Sequence, residues 1–503
     1  MNLFKYISII IILFLLSPKI VKGTTILYQS NDESIRIEFN GYIKNFFAVQ
    51  TGGERFLPEK LPKSFVSLDQ VIRALIPTAP HEDPQVSWEK FRDEMGTLGQ
   101  DQLWIRFDLK MKYKDASVKI AYEIRPWTGS NPYRLIGTIP SIGSLFTSGL
   151  NDSNSSFSIG THFDDRLLDF PLVAFERHSF RLTHQLDRLY LFYSFDFADI
   201  TIGRQPISIG VGRIFRPADI LAPFSPHEFD TEQKRGVDAL KIDIPIGDLS
   251  EIVFIASLQR LYPSCKRDVS KTIKFQIAPS GCTQNSTKSD YFDNPSPSFL
   301  AKAKWTISKL DFFILAGYHY QDIIGAMGFS FSINRFGVHG SASYRYPTIE
   351  ADSDHKYGLF NGMLNLEYNL PKWKLLVDFS YFHQNFGSDT PTRYLKLAQN
   401  HRYLRGETFL LGTDYLGLSI SWEIHPLLTF RAIAMLNLLD TSALIAPTLE
   451  LSVMANLYVT LSSYIGIGEP PNVKVDGDKF NIELKSEFGN IGTLFLIGLR
   501  AYY

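Results

Sequence analysis

From Ile35 to the last residue, apolar and polar side chains alternate with a period of two, segment after segment. Leu103, Ile105, Phe107, Leu109, Met111 and Tyr113 oppose Trp104, Arg106, Asp108, Lys110 and Lys112. After a turn at Lys114-Asp115, Val118, Ile120, Tyr122 and Ile124 oppose Lys119, Ala121, Glu123 and Arg125. The chain closes in the same way, with Phe495, Ile497 and Leu499 set against Leu494, Leu496, Gly498 and Arg500. Yet no stretch after the first two dozen residues is apolar over the 18 or so residues a membrane helix needs. Hydrophobic residues make up 45% of the chain and aromatic ones 14%, too many to leave to solvent. A backbone crosses lipid only as helices or as a closed barrel, because every N–H and C=O must find a partner inside the protein. The pattern therefore predicts an all-β chain, a transmembrane antiparallel β-barrel. A soluble sandwich with one buried face is the competing reading of the same alternation.

The ends bear on this choice. Lys5, the apolar run Tyr6 to Leu16 and the small residues of Val21-Lys22-Gly23 read as a secretory signal peptide over 1–23, cut before Thr24. The alternative is an uncleaved anchor, for which an apolar core of about 11 residues is short. The tail, with Gly498 five residues before a terminal aromatic, Tyr503, resembles the assembly signal of Gram-negative outer-membrane β-barrels. It departs from that signal at Ala501, where another aromatic is usual. The resemblance implies outer-membrane lipid as the surroundings, and the barrel assembly machinery as a partner recognised through the last strand.

Strand-like segments number about 18, with 16–18 as the range, and they form one barrel domain over 24–503. Long connections at 50–100, 128–175, 208–235, 261–298, 347–356, 384–407 and 467–479 alternate with tight ones such as Lys114-Asp115 and Pro371-Lys372. With the first strand running outward, every long connection falls on the extracellular side and the last strand ends in the periplasm. On this count Phe480 to Phe488 is the outer extension of the last strand. Ser64 to Ile76 and Val86 to Met95 are either short helices at the mouth or irregular loop.

The densest charged segment runs from Gly203 to Asp238 and carries Arg204, Arg213, Arg216, Asp219, Asp230, Glu232, Lys234 and Arg235 among several prolines. With Asp187-Arg188 just before it, this block resembles a group of porin-like outer-membrane proteins and, distantly, the alginate-export barrels. That resemblance covers about a tenth of the chain and implies a pore. Strict alternation would put Arg204 on lipid beside Ile200 and Ile202, at a cost of about 2–4 kcal/mol. A bulge at Gly203 turning Arg204 inward is expected, and snorkelling at the interface is the alternative. Residues 208–235 either fold inward to narrow the pore or form a salt-bridged outer loop. Arg106, Lys110, Lys119 and Arg125 belong to a wall track in which cations outnumber carboxylates; it either favours anions or simply holds water and braces the wall. Cys265 and Cys282 share one polar loop and form either a loop-stapling disulfide or two free thiols.

Catalytic and metal motifs are missing from the sequence: it has no G-x-S-x-G elbow, no H-E-x-x-H and no paired Cys ligand set, so no cofactor or metal is expected. A net charge of −1 does not suit a nucleic-acid binder. The expected function is a porin-like channel for passive passage of small polar or charged solutes, without enzyme activity. A non-conducting barrel acting as a surface binding or structural protein, or a polymer-export pore, stays as the alternative. The sequence shows neither the solute nor the oligomeric state.

Overall fold

The computed structural model describes residues 25–52, 89, 93, 97–129, 166, 172–177, 180–260, 295–348, 358–398, 400–476 and 479–503. Eighteen antiparallel strands close on themselves in chain order. They are β1 (Ile35–Thr51), β2 (Thr97–Tyr113), β3 (Ala116–Gly129), β4 (Phe180–Ser194), β5 (Asp199–Gln205) and β6 (Val237–Ile246). Next come β7 (Ser250–Arg260), β8 (Pro295–Ile307), β9 (Leu310–His319), β10 (Asp322–Ile333), β11 (Phe336–Pro347) and β12 (Leu359–Leu370). The ring is completed by β13 (Leu375–Gln384), β14 (Asp414–His425), β15 (Leu428–Asn437), β16 (Ala443–Met454), β17 (Leu457–Ile467) and β18 (Thr493–Tyr502). Connections at one end, such as 114–115, 308–309 and 426–427, are two to four residues long, whereas the long ones all lie at the other end, as the alternation predicts.

The pleat sorts side chains as the sequence implies. Along β10, Ile323 and Met327 are exposed while Ile324 and Ala326 are buried. Outside the ring, Phe47, Phe107, Leu191, Ile314, Leu364, Phe379, Leu461, Phe495 and Ile497 form an exposed apolar belt. In a water-soluble sheet such a belt would be a large unsatisfied patch; in lipid it is the matching surface. No helix among the described residues is long and apolar enough to cross a membrane.

The seam between β18 and β1 closes the ring. Pairing runs without a break from Tyr42↔Tyr502 to Thr51↔Thr493, and beyond it Gly41 and Tyr503 exchange backbone hydrogen bonds of 2.9 and 3.0 Å. The Tyr503 side chain then lies over Gly41, and its hydroxyl donates to the Arg106 carbonyl on β2 at 2.8 Å. A Cβ at Gly41 would stand 2.1 Å from that carbonyl and 2.7 Å from the Tyr503 hydroxyl, so glycine is required there by close approach. Below this point Thr25–Gln29 takes over as the neighbour of β1, pairing Thr25↔Phe39 through Gln29↔Arg36.

Two expectations are corrected. Lys479–Glu483 is not an outer extension of β18 but pairs with Asn472–Asp476 as a separate hairpin. The chain then turns through Phe488–Asn490 with Leu484, Glu487, Phe488 and Asn490 buried. The pairing of β5 with both neighbours is continuous, so Gly203 carries no bulge. Instead Gly203 adopts φ 114°, a left-handed conformation that swings the next side chain without adding a residue. The register shift lies one strand away, in β4, where Ala121↔Arg188 is followed by Tyr122↔Leu186 and Asp187 is left over. The segments Ser64 to Ile76 and Val86 to Met95, read as either short helices or irregular loop, and Cys265 and Cys282, lie outside the described residues, apart from Glu89 and Asp93, which are helical.

Replacing Gly41 by Val forces Tyr503 off its seat. The barrel is expected to lose about 1–3 kcal/mol. Urea unfolding of the detergent-folded protein measures this, and Tyr503→Phe, which removes only the hydroxyl's bond, is expected to lose about 1 kcal/mol.

Candidate functional site

The site follows from one short strand. β5 has 7 residues against 17 in β1 and β2, so the chain leaves the wall early and residues 206–236 have no strand to extend. Nor do they rise as an outer loop. Arg213 sits beside Glu367 of β12, Phe215 stacks on Phe382 of β13 with ring centroids 4.9 Å apart, and Ile214 and Phe215 press on the bare backbone of Gly417 in β14. β13 lies eight strands from β5 in an eighteen-stranded ring, which is nearly diametric. From Gln205 to Ile214 a fully extended chain spans about 30 Å, sufficient for the crossing. The segment then returns past the other wall: Phe229 meets Phe46 of β1 edge-on at 5.3 Å, and the Tyr502 hydroxyl of β18 donates to Glu232 at 2.7 Å. The segment therefore touches three sectors of wall and runs across the barrel interior.

Two apolar clusters hold it. Ile207, Ile209, Ala218, Ile220 and Leu221 pack on the inward residues Val253, Ile255, Leu300, Phe313 and Leu315 of β7 to β9. Ile214 and Phe215 join Met363, Phe382, Tyr415, Met435, Leu444 and Tyr464, with Phe488 and Ile491 from the connection before β18. A barrel of this size ordinarily encloses water. Here part of the lumen is a dry core.

Charged contacts pin the segment at its margins. Lys44 of β1, fully buried, reaches Asp230 at 2.6 Å and Glu232 at 2.7 Å, and lies 4.3 Å from the Tyr42 ring centroid. Asp219 accepts from Lys234 at 2.6 Å and from the Ile209 amide at 3.3 Å. Arg213 donates to Glu367 at 2.7 Å with Asp378 at 3.8 Å, yet its side chain remains 46% exposed, so this guanidinium faces open lumen. Arg216 donates to the Gly212 carbonyl and lies over Phe224. Arg235 is half-buried. Arg204 is buried, with Nε and Nη2 on the two oxygens of Asp238 at 2.7 and 2.8 Å and Nη1 on the Leu186 carbonyl. The Arg204 side chain thus lies in the protein interior and not among the lipid-facing residues. His227 is buried without a partner for either ring nitrogen, and burial pushes it down to about 3, so it is neutral at physiological pH.

The wall track gathers into a second network. Arg106 is fully buried and donates to Glu123 at 2.5 Å, Asp187 at 2.6 Å and Asp108 at 3.0 Å. Arg125 shares Glu123 at 2.5 Å and lies 4.6 Å from the Trp104 ring centroid. Asp187, the residue left over in β4, also takes Arg188 at 2.8 Å. Arg188 in turn donates to the Lys234 carbonyl, joining wall and segment. Lys110 and Lys119 lie on the same inward face, beside this network but without an ion pair to it.

Sequence reasoning missed the partners at the long-connection end. Arg402 grips Asp322 at 2.5 and 2.9 Å, while Arg345, Arg402 and Arg405 converge on Glu407. Burial would raise the Glu407 carboxyl, but the three guanidiniums outweigh it and hold the group well below the usual carboxylate range. This fastens connection 385–413 to β10 and β11. Glu487 accepts from the Leu411 amide and from Asn437 at 2.8 Å, and from the Tyr415 hydroxyl. Burial, aided by Asp440, overcomes those donors and pushes its carboxyl up to about 7. No metal-binding group of three His, Cys, Asp or Glu occurs among the described residues.

No family model and no curated protein matches the sequence. Solved structures of similar shape include OccK7 (OpdD) of Pseudomonas aeruginosa, 9% identical with a TM-score of 0.44 over 93% of this chain and 98% of that one. OccAB4 of Acinetobacter baumannii is 7% identical with a TM-score of 0.46, covering 97% of this chain and 100% of its own. The outer membrane protein OprD of Pseudomonas aeruginosa is 6% identical with a TM-score of 0.46, covering 96% and 95%. At such identity no residue of this chain can be matched to one of theirs.

Two outcomes are expected. Arg106→Met takes one of two guanidiniums from each of the buried carboxylates Glu123 and Asp187, leaving them Arg125 and Arg188, and costs up to about 3 kcal/mol, whereas Lys374→Met, at an exposed pair with Glu423, costs about 0–1 kcal/mol. Urea unfolding compares them. A carboxyl raised in the folded state stabilises the fold below its unfolded value of about 4.5, and the contribution is lost as pH rises through about 7. Stability should therefore fall between pH 4.5 and 7, and Glu487→Gln should flatten that slope in unfolding midpoints measured across the range.

Proposed function

We propose that the chain is a porin-like channel of a Gram-negative outer membrane, passing small polar or charged solutes without energy coupling. The observation that carries this reading is the inward-folded segment 206–236. A closed ring with an apolar exterior has a lumen; the segment divides that lumen into a dry side and a side where charged groups meet water. Arg213 at 46% exposed and Arg431 at 55% front the wet side, with Glu367 and Glu450 behind them. Ser419, Ser421 and Thr448 supply small, partly exposed polar wall residues on β14 and β16. Side chains of this kind replace part of a solute's hydration while leaving room to pass. In this reading Arg204, Asp219, Asp230, Glu232, Lys234 and Arg235 hold the constriction in shape, and Arg213 and Arg216 sit at its edge. Outer-membrane residence follows from the apolar belt and from the alternating tail. The two cysteines, if oxidised, would staple an outer loop, and the last strand would be the segment recognised during assembly.

The same packing allows a sealed barrel that binds at its surface, and conductance separates the two. The purified barrel in a planar bilayer is expected to give stable ion steps, and removal of residues 213–232 is expected to enlarge them severalfold. A folded wild-type barrel that never conducts overturns the channel reading in favour of the sealed one. A deletion variant with unchanged steps overturns the constriction role.

A further inference from the structure

The ion pairs of the lumen leave out one group of cations. Lys110 of β2 and Lys119 of β3 are direct cross-strand partners in register. Direct partners bring Cβ atoms to about 4.5–5.5 Å on one face of the sheet, and like charges so placed are destabilising. Lys112 lies two residues along the same face, opposite Ser117. Both Lys110 and Lys112 are exposed, and Lys119 is half-buried. The face is the inward one, because Phe107, Met111 and Tyr113 between them are exposed on the outer face while Trp104 and Arg106 on their own face are buried.

Carboxylates nearby are already taken. Glu38, across from Lys110, holds Arg36 at 2.6 Å, and Asp108 holds Arg106 at 3.0 Å. Asp187 serves Arg188 at 2.8 Å, and Asp243 serves Lys241 at 2.9 Å. Each of these cations has a carboxylate at ion-pair distance; among the described residues Lys110, Lys112 and Lys119 have none, the only carboxylate influence on them coming from Glu38 opposite Lys110 and from Asp108, which attracts Lys119 while it holds Arg106. On the far side of Lys119 its partner is Tyr190, a neutral hydroxyl on the same face. Three ammonium groups thus stand together, two of them forced into opposition by the register, at the short-turn end of the lumen.

We infer that this lysine group is a binding site for a small oxyanion, a carboxylate or phosphate bearing two or more negative charges, at the periplasmic mouth. An anion between Lys110 and Lys119 turns a repulsive cross-strand pair into two attractive ones, and Lys112 adds a third contact. Lipid headgroups are not the source, because the lysines face away from the apolar belt. The site deepens the channel reading by naming its solute class, and it is also a site in a barrel that does not conduct.

The test uses inorganic pyrophosphate and the detergent-purified full barrel. Isothermal titration at low salt is expected to show one binding event that weakens at least about tenfold in the Lys110→Gln, Lys112→Gln, Lys119→Gln triple variant, a loss of about 1.4 kcal/mol. A second triple variant, Lys309→Gln, Lys372→Gln and Lys374→Gln, removes the same charge from short turns outside the lumen and is expected to bind as wild type. Equal loss in both variants, or no loss in the first, overturns the site. Lys119→Glu provides a check on folding: it pairs Lys110, so it is expected to unfold no earlier than wild type while losing pyrophosphate. In bilayers under a KCl gradient, the first triple variant is expected to shift the reversal potential toward cations with steps still present. Loss of steps in wild type overturns the channel and leaves the titration to decide the site, whereas steps without the shift overturn the solute class.

Discussion

Every backbone donor and acceptor in the hydrocarbon region must be paired within the protein, and this one demand shapes the whole chain. A sheet meets it only by having no edge. The meeting of β18 with β1 is therefore the contact on which all the others depend, and the chain invests in it: ten consecutive register pairs, then the reciprocal bonds of Gly41 and Tyr503, then a hydroxyl that reaches over to β2. Residues from opposite ends of the sequence are joined side by side. Thr25–Gln29 continues the edge of β1 where the last strand stops.

Within a closed ring, strand length becomes a means of filling the lumen. β5 and β6 are shorter than β1 to β4, and the chain between them turns inward because apolar seats await it on two walls. Buried pairs such as Lys44 with Asp230 contribute little net stability over an apolar replacement, since desolvation offsets most of the attraction. Their value is positional. They permit one docking of the segment and penalise any slide that would strand a charge in the dry half.

Much of this was legible in the sequence. Period-two alternation gave the strand number, the face of most wall residues and the side on which long connections fall, because lipid and lumen impose opposite requirements on neighbouring positions. Prolines and mixed charges marked Gly203 to Asp238 as unusual, and Asp187-Arg188 as part of the same block. What could not be read was partnership. Lys44 is plainly an inward residue, but nothing local says that Asp230 stands across from it. Gly203 showed that Arg204 needed turning, yet a positive φ does the work of the expected bulge. Lys479–Glu483 alternates like a barrel strand, and only its pairing with Asn472–Asp476 shows that it belongs to a hairpin. Nothing local singles out Arg402, Arg405 and Glu407; only the structure brings Asp322 of β10 and Arg345 of β11 to them.

The seats of segment 206–236 have a bearing on how the protein comes to be. The segment leaves the chain after β5, but Phe382, Gly417 and Tyr464 belong to strands made much later, and Phe46 belongs to the very first. Until β12 to β18 are in place, Ile214 and Phe215 lack the seats that Met363, Phe382, Tyr415, Met435, Leu444 and Tyr464 supply. Wall and filling are thus a single cooperative event: the strands curl around a segment that waits for them, and contacts of very large sequence separation form together rather than in turn. A half-closed sheet would expose both the dry face of the segment and an open strand edge at once, so the intermediate most in need of protection on the way to the membrane is the one just before the tail arrives.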